Sequence, residues 1–212
     1  MMMNLFSNFD PCTGKMSLNW LSSMIFIFIL PKKFWKKNNI YESMINKMIK
    51  FINEEIKMNS SYKSIKLMFS VLIMFILINN IMGLVPYVFT SSSHLVFSLS
   101  FSLPLWTAYM MFGWKKNTKI MMANMLPKNT PSMLMPLMIL IEFTSNLIRP
   151  MSLAVRLSAN MIAGHLMFSL MGEKNMILMM MIMMLMMMFE LAVAIIQSYV
   201  FMTLMTLYSK EV

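Results

Sequence analysis

The sequence predicts an all-α membrane protein with about five membrane-embedded helices plus an amphipathic interfacial helix, the last two helices being long, tilted and paired as a hairpin. Of its 212 residues, 58% are hydrophobic and only 12% are charged. A soluble domain carries about 25% charged residues, so this chain cannot cover a water-facing surface. Long apolar stretches also recur between short basic loops, as in multi-pass membrane proteins. These observations exclude a soluble enzyme and predict a single membrane domain over 1–212.

The first two elements lie in the N-terminal quarter of the chain. Residues 18–31 contain an apolar stretch of about 13 residues, fewer than the roughly 20 that span a bilayer, but apolar neighbours extend it. We predict a first transmembrane helix there. Residues 40–60 carry apolar side chains at spacings of three and four with charged side chains between them, which is typical of an amphipathic helix in the membrane interface.

Two hairpins make up the rest of the chain. Residues 65–114 hold two apolar spans joined by the polar turn Thr90 to His94, which we expect to be an exposed loop. Residues 132–208 hold two longer apolar helices, separated by a turn at 172–174. Each exceeds the roughly 20 residues that a bilayer requires, so both are expected to tilt.

Loop charge predicts the orientation. The segment 32–66 contains nine lysines against three glutamates, and 115–128 contains four lysines and no acid. Positive loops face the inner compartment. The N-terminus and the 172–174 turn are therefore expected outside, and the C-terminus inside.

Five ionisable residues fall within the last two apolar helices: Glu142, Arg149, Arg156, His165 and Glu190. A charged group at the bilayer centre costs at least about 2.5 kcal/mol, so each requires a partner or a water-filled cavity. Five such groups in two neighbouring helices indicate a site.

Helical spacing arranges most of these groups on one face. At about 100° per residue, five polar residues fall within an arc of about 80°: Glu142, Asn146, Arg149, Arg156 and Asn160. His165 points to another face. Glu142 lies about 21 Å inward of Arg156, and His165 about 13 Å outward.

Folding the two helices as an antiparallel hairpin places further polar groups opposite one another. One register pairs Arg156 with Gln197 and His165 with Glu190. The pattern predicts two polar paths, one inward past Glu142 and one outward past His165 and Glu190, separated by Arg156.

The sequence around these residues resembles subunit a of the F-type ATP synthase membrane sector. The resemblance is carried by EFTSNLIRPMSLAVRLSANMIAGHL, which starts at Glu142, and by ELAVAIIQSYVF, which starts at Glu190. NLFSNFDP from Asn4 and GLVPYVFTSSSHL from Gly83 look like the mitochondrial, insect-type version. The likeness covers nearly the whole length.

The resemblance implies a role for each matched residue. Arg156 corresponds to the family's essential arginine, which faces the ring of c subunits. Asn160, His165, Glu190 and Gln197 correspond to the proton route. The implied partners are the c-subunit ring, the peripheral stalk and other ATP synthase subunits, with membrane lipids and protons but no nucleic acid. No cofactor and no metal are implied.

Location follows from the same resemblance and from composition. The chain contains 34 methionines, an excess that fits an AT-rich organelle genome. Residues 1–10 show no import or secretion signal. We therefore expect a multi-pass protein of the mitochondrial inner membrane.

The expected function is that of a proton-translocating stator subunit, which offers two offset half-channels to a rotating ring. It is not catalytic by itself, because the sequence has neither a phosphate-binding loop nor a nucleophile–base arrangement. A self-contained cation channel or proton-coupled carrier is the alternative. Two structural roles also stay open: Glu142 lines the inner path or pairs with Arg149, and His165 and Glu190 relay protons or simply hold the hairpin together.

Overall fold

The structure is a computed structural model that describes residues 6, 9–12, 16–29, 39–59, 63–85, 88–116, 118–126, 131–172 and 177–211. Its α-helices are α1 (Ile25–Ile29), α2 (Ile40–Asn59), α3 (Lys63–Gly83), α4 (Leu95–Lys116), α5 (Thr118–Asn124), α6 (Met135–Gly172) and α7 (Ile177–Glu211). Within the described residues there is no strand. Four helices are long and apolar enough to cross a membrane, namely α3, α4, α6 and α7. The all-α membrane class is thus confirmed.

The first predicted span is shorter than the other four. Leu18–Met24 forms seven residues of 3₁₀ helix, and α1 adds five residues of α-helix. Together they rise about 21 Å, less than the roughly 30 Å hydrocarbon core. The fifth membrane-embedded element of the prediction is therefore this shorter apolar helix.

The four long helices pack mainly as two pairs that also contact each other. α3 packs mainly on α7, and α4 mainly on α6, while α6 and α7 also contact each other. Buried apolar side chains fill the space between α3 and the last two helices; they include Phe69, Ile73, Leu153, Leu157 and Phe201. Only one face of α6 and one of α7 is covered, so their opposite faces stay open.

Aromatic rings join the short first helix to this bundle. Phe75 of α3 lies 5.4 Å from Phe26 of α1, 5.9 Å from Phe97 and 5.3 Å from Phe101 of α4. Phe97 and Phe101 are themselves 5.1 Å apart. Offset and edge-on pairs at these distances are favourable, and they fix α1 against the α3–α4 hairpin.

The amphipathic helix α2 carries two apolar stripes instead of one. Ile45, Ile49, Ile52 and Ile56 pack into the protein core, in which α2 contacts α3 and α7. A second stripe is exposed, consisting of Met44, Met48, Phe51 and Met58. The exposed lysines occupy the remaining side of the helix. This three-sided pattern is expected of a helix that touches protein, lipid and water at once.

The polar turn after α3 is buried, so the expectation of an exposed loop is wrong. Thr90, Ser91, Ser92 and Ser93 are each at most 4% exposed, and the 3₁₀ helix Ser91–Ser93 packs on α6. Burial is tolerated partly because the turn satisfies some of its own groups. The Ser93 hydroxyl donates to the Thr90 carbonyl at 2.7 Å.

His94, at the end of this turn, is also partly enclosed. Its ring lies 5.2 Å from that of Trp20 and 5.3 Å from that of Phe89. Its Nε2 atom is buried. His94 is therefore held between two aromatic rings and is not a residue of an open loop.

The last two helices exceed the thickness of a bilayer. α6 has 38 residues and α7 has 35, which correspond to about 57 Å and 52 Å. The methionine-rich start of α7 is open, with Met181, Met184 and Met188 each about 70% exposed. The predicted Glu173-Lys174 turn and the lysines at 32–37 lie outside the described residues.

Candidate functional site

The polar stripe predicted on α6 exists, but its members have different surroundings. At the end that the loop charges predict to face inward, Arg149 Nη2 lies 3.7 Å from Glu142 Oε1, two helical turns earlier. The Arg149 guanidinium also lies 6.0 Å from the centre of the Tyr208 ring on α7. These three residues form the inner pair and its aromatic neighbour, and they tie the start of α6 to the end of α7.

Arg156 lies on the same face of α6, two turns further along the helix. Its side chain is exposed, as are the small residues around it on the same face, Ser152, Ala159 and Ala163. Among the described residues, no carboxylate lies within ion-pair distance of its guanidinium. The chain thus presents an uncompensated cation on an open face that lacks bulky side chains beside it.

Asn160 connects this open face to α7. Its Nδ2 donates to Gln197 Oε1 at 3.3 Å. The register predicted from sequence instead placed Gln197 opposite Arg156, one turn away. The shift arises because helix pairing depends on which side chains allow close approach, and residue spacing alone does not determine this.

The close contact between α6 and α7 at Glu190 depends on a glycine of α6. Its carboxylate lies directly over Gly164 of α6, in the space that a β-carbon would fill. Only glycine at 164 leaves room for an acidic side chain between the two helices. The Glu190 carboxylate of α7 thus lies at the residue that precedes His165 on α6, but among the described residues the two side chains form no ion pair.

A small cavity joins these polar groups. It has a volume of about 20 Å³, room for about one water molecule. Its polar lining comes from Asn160, Glu190 and Gln197, together with Asn80 of α3. Asn80 is 1% exposed, and neither of its amide atoms has a hydrogen-bond partner in the described structure. The cavity thus has largely apolar walls, with spare donor and acceptor atoms at Asn80.

His165 lies at the opposite end of the site from Glu142, the end that the loop charges predict to face outward. It is partly buried and lies against the backbone of Gly83, at the end of α3. Its Nε2 atom is buried and has no hydrogen-bond partner among the described residues. The ring of Phe9 lies 5.9 Å away and nearly perpendicular, at 88°.

Comparison with known proteins shows the family to which this chain is similar. The family model for "ATP synthase A chain" matches residues 15–210. The chain is similar to "ATP synthase subunit a" of Anopheles gambiae, with 44% identity over 225 residues. It is 45% identical over 225 residues to the protein of that name in Locusta migratoria, and 44% over 223 in Drosophila melanogaster. Each alignment covers 100% of both chains.

The chain belongs to the ATP synthase A chain family. The matched range contains the inner pair, Arg156 and the whole cavity, so all of the predicted site residues fall inside the family region. In the part of the chain that the structure describes, no three His, Cys, Asp or Glu residues gather closely enough to hold a metal ion.

Three further residues shape the site and were not predicted from the sequence, namely Asn80, Gly83 and Phe9. The sequence signal for Asn80 is the Asn79-Asn80 doublet inside an apolar span. Gly83 and Phe9 gave none, because a backbone contact and a ring contact across the fold leave no periodic trace in the sequence.

Proposed function

We propose that the chain is the proton-translocating stator subunit of ATP synthase, which couples proton flow to ATP synthesis through two offset half-channels and a rotating ring of c subunits. Family membership supports a place in the ATP synthase membrane sector. The observation that carries the finer proposal is Arg156, an exposed cation on a membrane helix with no carboxylate of the described chain beside it.

Electrostatics requires a partner for this group. An arginine at the bilayer centre costs at least about 2.5 kcal/mol. Glu142 is already paired with Arg149 at 3.7 Å. The remaining ways to compensate Arg156 are a water-filled cavity and a carboxylate from another chain, and the proposed function uses the second. The small residues on the same face allow a partner helix to approach closely, as at other helix contacts in membranes.

The chemistry of the guanidinium suits a gate between the two paths, because this group does not itself carry protons. A guanidinium is not deprotonated in proteins, so Arg156 keeps its charge and does not pass protons on. It attracts a carboxylate on a passing ring subunit and keeps it ionised. A carboxylate that has taken up a proton loses that attraction and turns into lipid. Rotation in one direction follows when each half-channel serves one of these two states.

The outer half-channel is formed by the polar residues between α6 and α7. His165 and Glu190 exchange protons, and Asn160 and Gln197 order the water that connects them to the ring. Both titratable groups suit this role, because burial and neighbours adjust their proton affinity. Glu142 stands at the inner end, where its pairing with Arg149 makes it a structural tether beside the inner path.

The surroundings that we propose follow from the same assignment. The protein lies in the mitochondrial inner membrane and contacts the ring, the peripheral stalk and other subunits of the complex. The exposed apolar stripe and lysines of α2 face lipid tails and headgroups. Nucleotide chemistry takes place in partner subunits.

Two arginines on one helix allow a matched test. In the assembled complex in membrane vesicles, Arg156→Ala is expected to abolish ATP-driven proton transport and to permit passive leak. Arg149→Ala serves as the control, since its loss removes a tether and not the gate. Normal coupled transport by Arg156→Ala would overturn the proposal.

Purified chain in proteoliposomes separates this function from a self-contained channel or carrier. Two incomplete paths divided by Arg156 are expected to conduct almost nothing without the ring. Rapid proton or sodium flux through the isolated chain would favour the alternative.

A further inference from the structure

The outer histidine is covered by a part of the chain far away in sequence. Phe9 precedes the first helix, yet its ring lies 5.9 Å from the ring of His165 at an interplanar angle of 88°. Phe9 is itself partly buried, whereas Phe6, 6.4 Å from it, is 65% exposed. Phe9, and not Phe6, therefore contacts α6.

The other contacts of His165 show what Phe9 adds. One side of the imidazole lies against the Gly83 backbone of α3, and the neighbouring Gly164 carries the Glu190 carboxylate from α7. The buried Nε2 atom has no hydrogen-bond partner among the described residues. The imidazole is nevertheless hydrogen-bonded to the Gly83 backbone, which restrains one side of the ring. The perpendicular Phe9 ring, 5.9 Å away, adds a second restraint from another direction.

We propose that Phe9 is a positioning residue for His165: its ring holds the imidazole against the Gly83 backbone and covers it on the side of the N-terminal segment. The inference rests on the proposed function, in which His165 belongs to the outer half-channel. Phe9 then restricts how His165 is reached from the outer compartment. An edge-on aromatic pair suits this task because it orients a ring without competing for its nitrogens.

Chemical accessibility tests the contact directly. The assembled complex in vesicles is treated with diethyl pyrocarbonate, which acylates imidazole nitrogens, and labelling is followed by mass spectrometry. His94 is the internal reference, because its ring partners are Trp20 and Phe89 and not Phe9. Phe9→Ala is expected to raise the labelling rate of His165 relative to His94 by about two- to tenfold, the scale of one lost aromatic pair.

Two further variants keep the test specific. Phe9→Tyr retains the ring and is expected to restore both the slow labelling of His165 and the rate of ATP-driven proton transport that Phe9→Ala lowers. Phe6→Ala removes the exposed neighbour and is expected to leave both unchanged. If labelling of both histidines rises together in Phe9→Ala, the fold is disturbed, and Phe9→Leu, which fills the same space without a ring, decides instead.

The result that overturns the proposal is an unchanged ratio of His165 to His94 labelling in Phe9→Ala, or in Phe9→Leu where that variant decides. Failure of the tyrosine variant to restore slow labelling overturns it as well. This readout does not depend on proton transport. Normal coupling in Arg156→Ala would defeat the proposed function while leaving the labelling result intact, so the two failures are distinguishable.

Discussion

Arg149 and Arg156 lie two turns apart on α6, but their surroundings differ. Arg149 is paired with Glu142 at 3.7 Å and lies near the Tyr208 ring. Arg156 is exposed and, among the described residues, has no carboxylate beside it. Two identical side chains on one face thus have different surroundings: one is paired with a carboxylate of the same helix, and the other has no carboxylate beside it in the described part of the chain.

This difference shows that the ionisable groups of α6 are not all satisfied within the described chain to the same degree. The inner pair closes on itself and stabilises the contact between α6 and α7. The segment from Arg156 to His165 stays chemically incomplete, with an uncompensated cation, a cavity with spare polar atoms and an enclosed histidine. Incomplete groups are the ones to which a partner or a proton can bind.

The largest expected effect comes from replacing each arginine by lysine. Arg156→Lys is expected to reduce ATP-driven proton transport by about 100-fold or more, the scale of losing a preorganised electrostatic group, because lysine gives up its proton more readily when desolvated. Arg149→Lys keeps a point charge near Glu142 and is expected to retain most of the activity. Proton-pumping assays on vesicles make the comparison. Equal losses in both variants would erase the distinction drawn between them.

A smaller effect is expected from adding one methyl group beneath Glu190. In Gly164→Ala the new β-carbon occupies the position of the Glu190 carboxylate, which must move. A displacement of this size is expected to slow proton transport by roughly 10- to 100-fold.

Gly172 offers a matched control on the same helix. A β-carbon there meets nothing within 4 Å, so Gly172→Ala is expected to leave transport unchanged. Transport that is insensitive to Gly164→Ala would show that the position of Glu190 does not matter to the outer path.

The buried amide of Asn80 is expected to oppose stability and function. Asn80→Leu removes two unpartnered polar atoms from a buried site, so it is expected to raise the free energy of unfolding by about 1–3 kcal/mol. The same change removes a polar wall of the cavity and is expected to slow transport several-fold. Thermal unfolding in detergent and vesicle pumping measure the two effects.

Asn79→Leu separates them. Asn79 also has an unpartnered Nδ2 atom but does not line the cavity. It is expected to gain stability without a change in transport. A similar slowing in both variants would mean that the cavity wall is not the cause.

The smallest effect concerns the inner pair. Both side chains are more than a third exposed, so the ion pair is expected to contribute about 1 kcal/mol or less. Glu142→Gln and Arg149→Gln should each lower the unfolding temperature slightly. The double variant should be less destabilised than the sum of the two, because neither charge is then left alone. Strict additivity would contradict a direct interaction.

The sequence predicted the helices and the polar stripe because both follow from the period of a single helix. Composition identified the membrane class, and the ionisable residues in apolar segments pointed to the site. The contact of Asn160 with Gln197 could not be predicted from the sequence. The relative position of two helices depends on local packing, such as the space at Gly164 that the Glu190 carboxylate fills.

The prediction of an exposed turn at Thr90 to His94 was wrong for a related reason. Hydroxyl-rich segments normally face water, and the sequence gives no sign that the hydroxyls of Thr90 and Ser93 lie 3.0 Å apart within the turn. Local pairing of this kind lowers the cost of burial. The contact between Phe9 and His165 joins distant parts of the chain and requires the whole fold.

Gly83 has a consequence that reaches beyond its own position. A β-carbon there would come within 2.9 Å of Met161 Cε and 3.4 Å of Thr90 Cγ2, so α6, the serine turn and α3 meet at a residue without a side chain. His165 lies against the backbone of that same residue. The missing methyl group therefore lets the Met161 side chain, the serine turn and the histidine share the space around one backbone position. An alanine at 83 would displace at least the end of the Met161 side chain, directly beside His165.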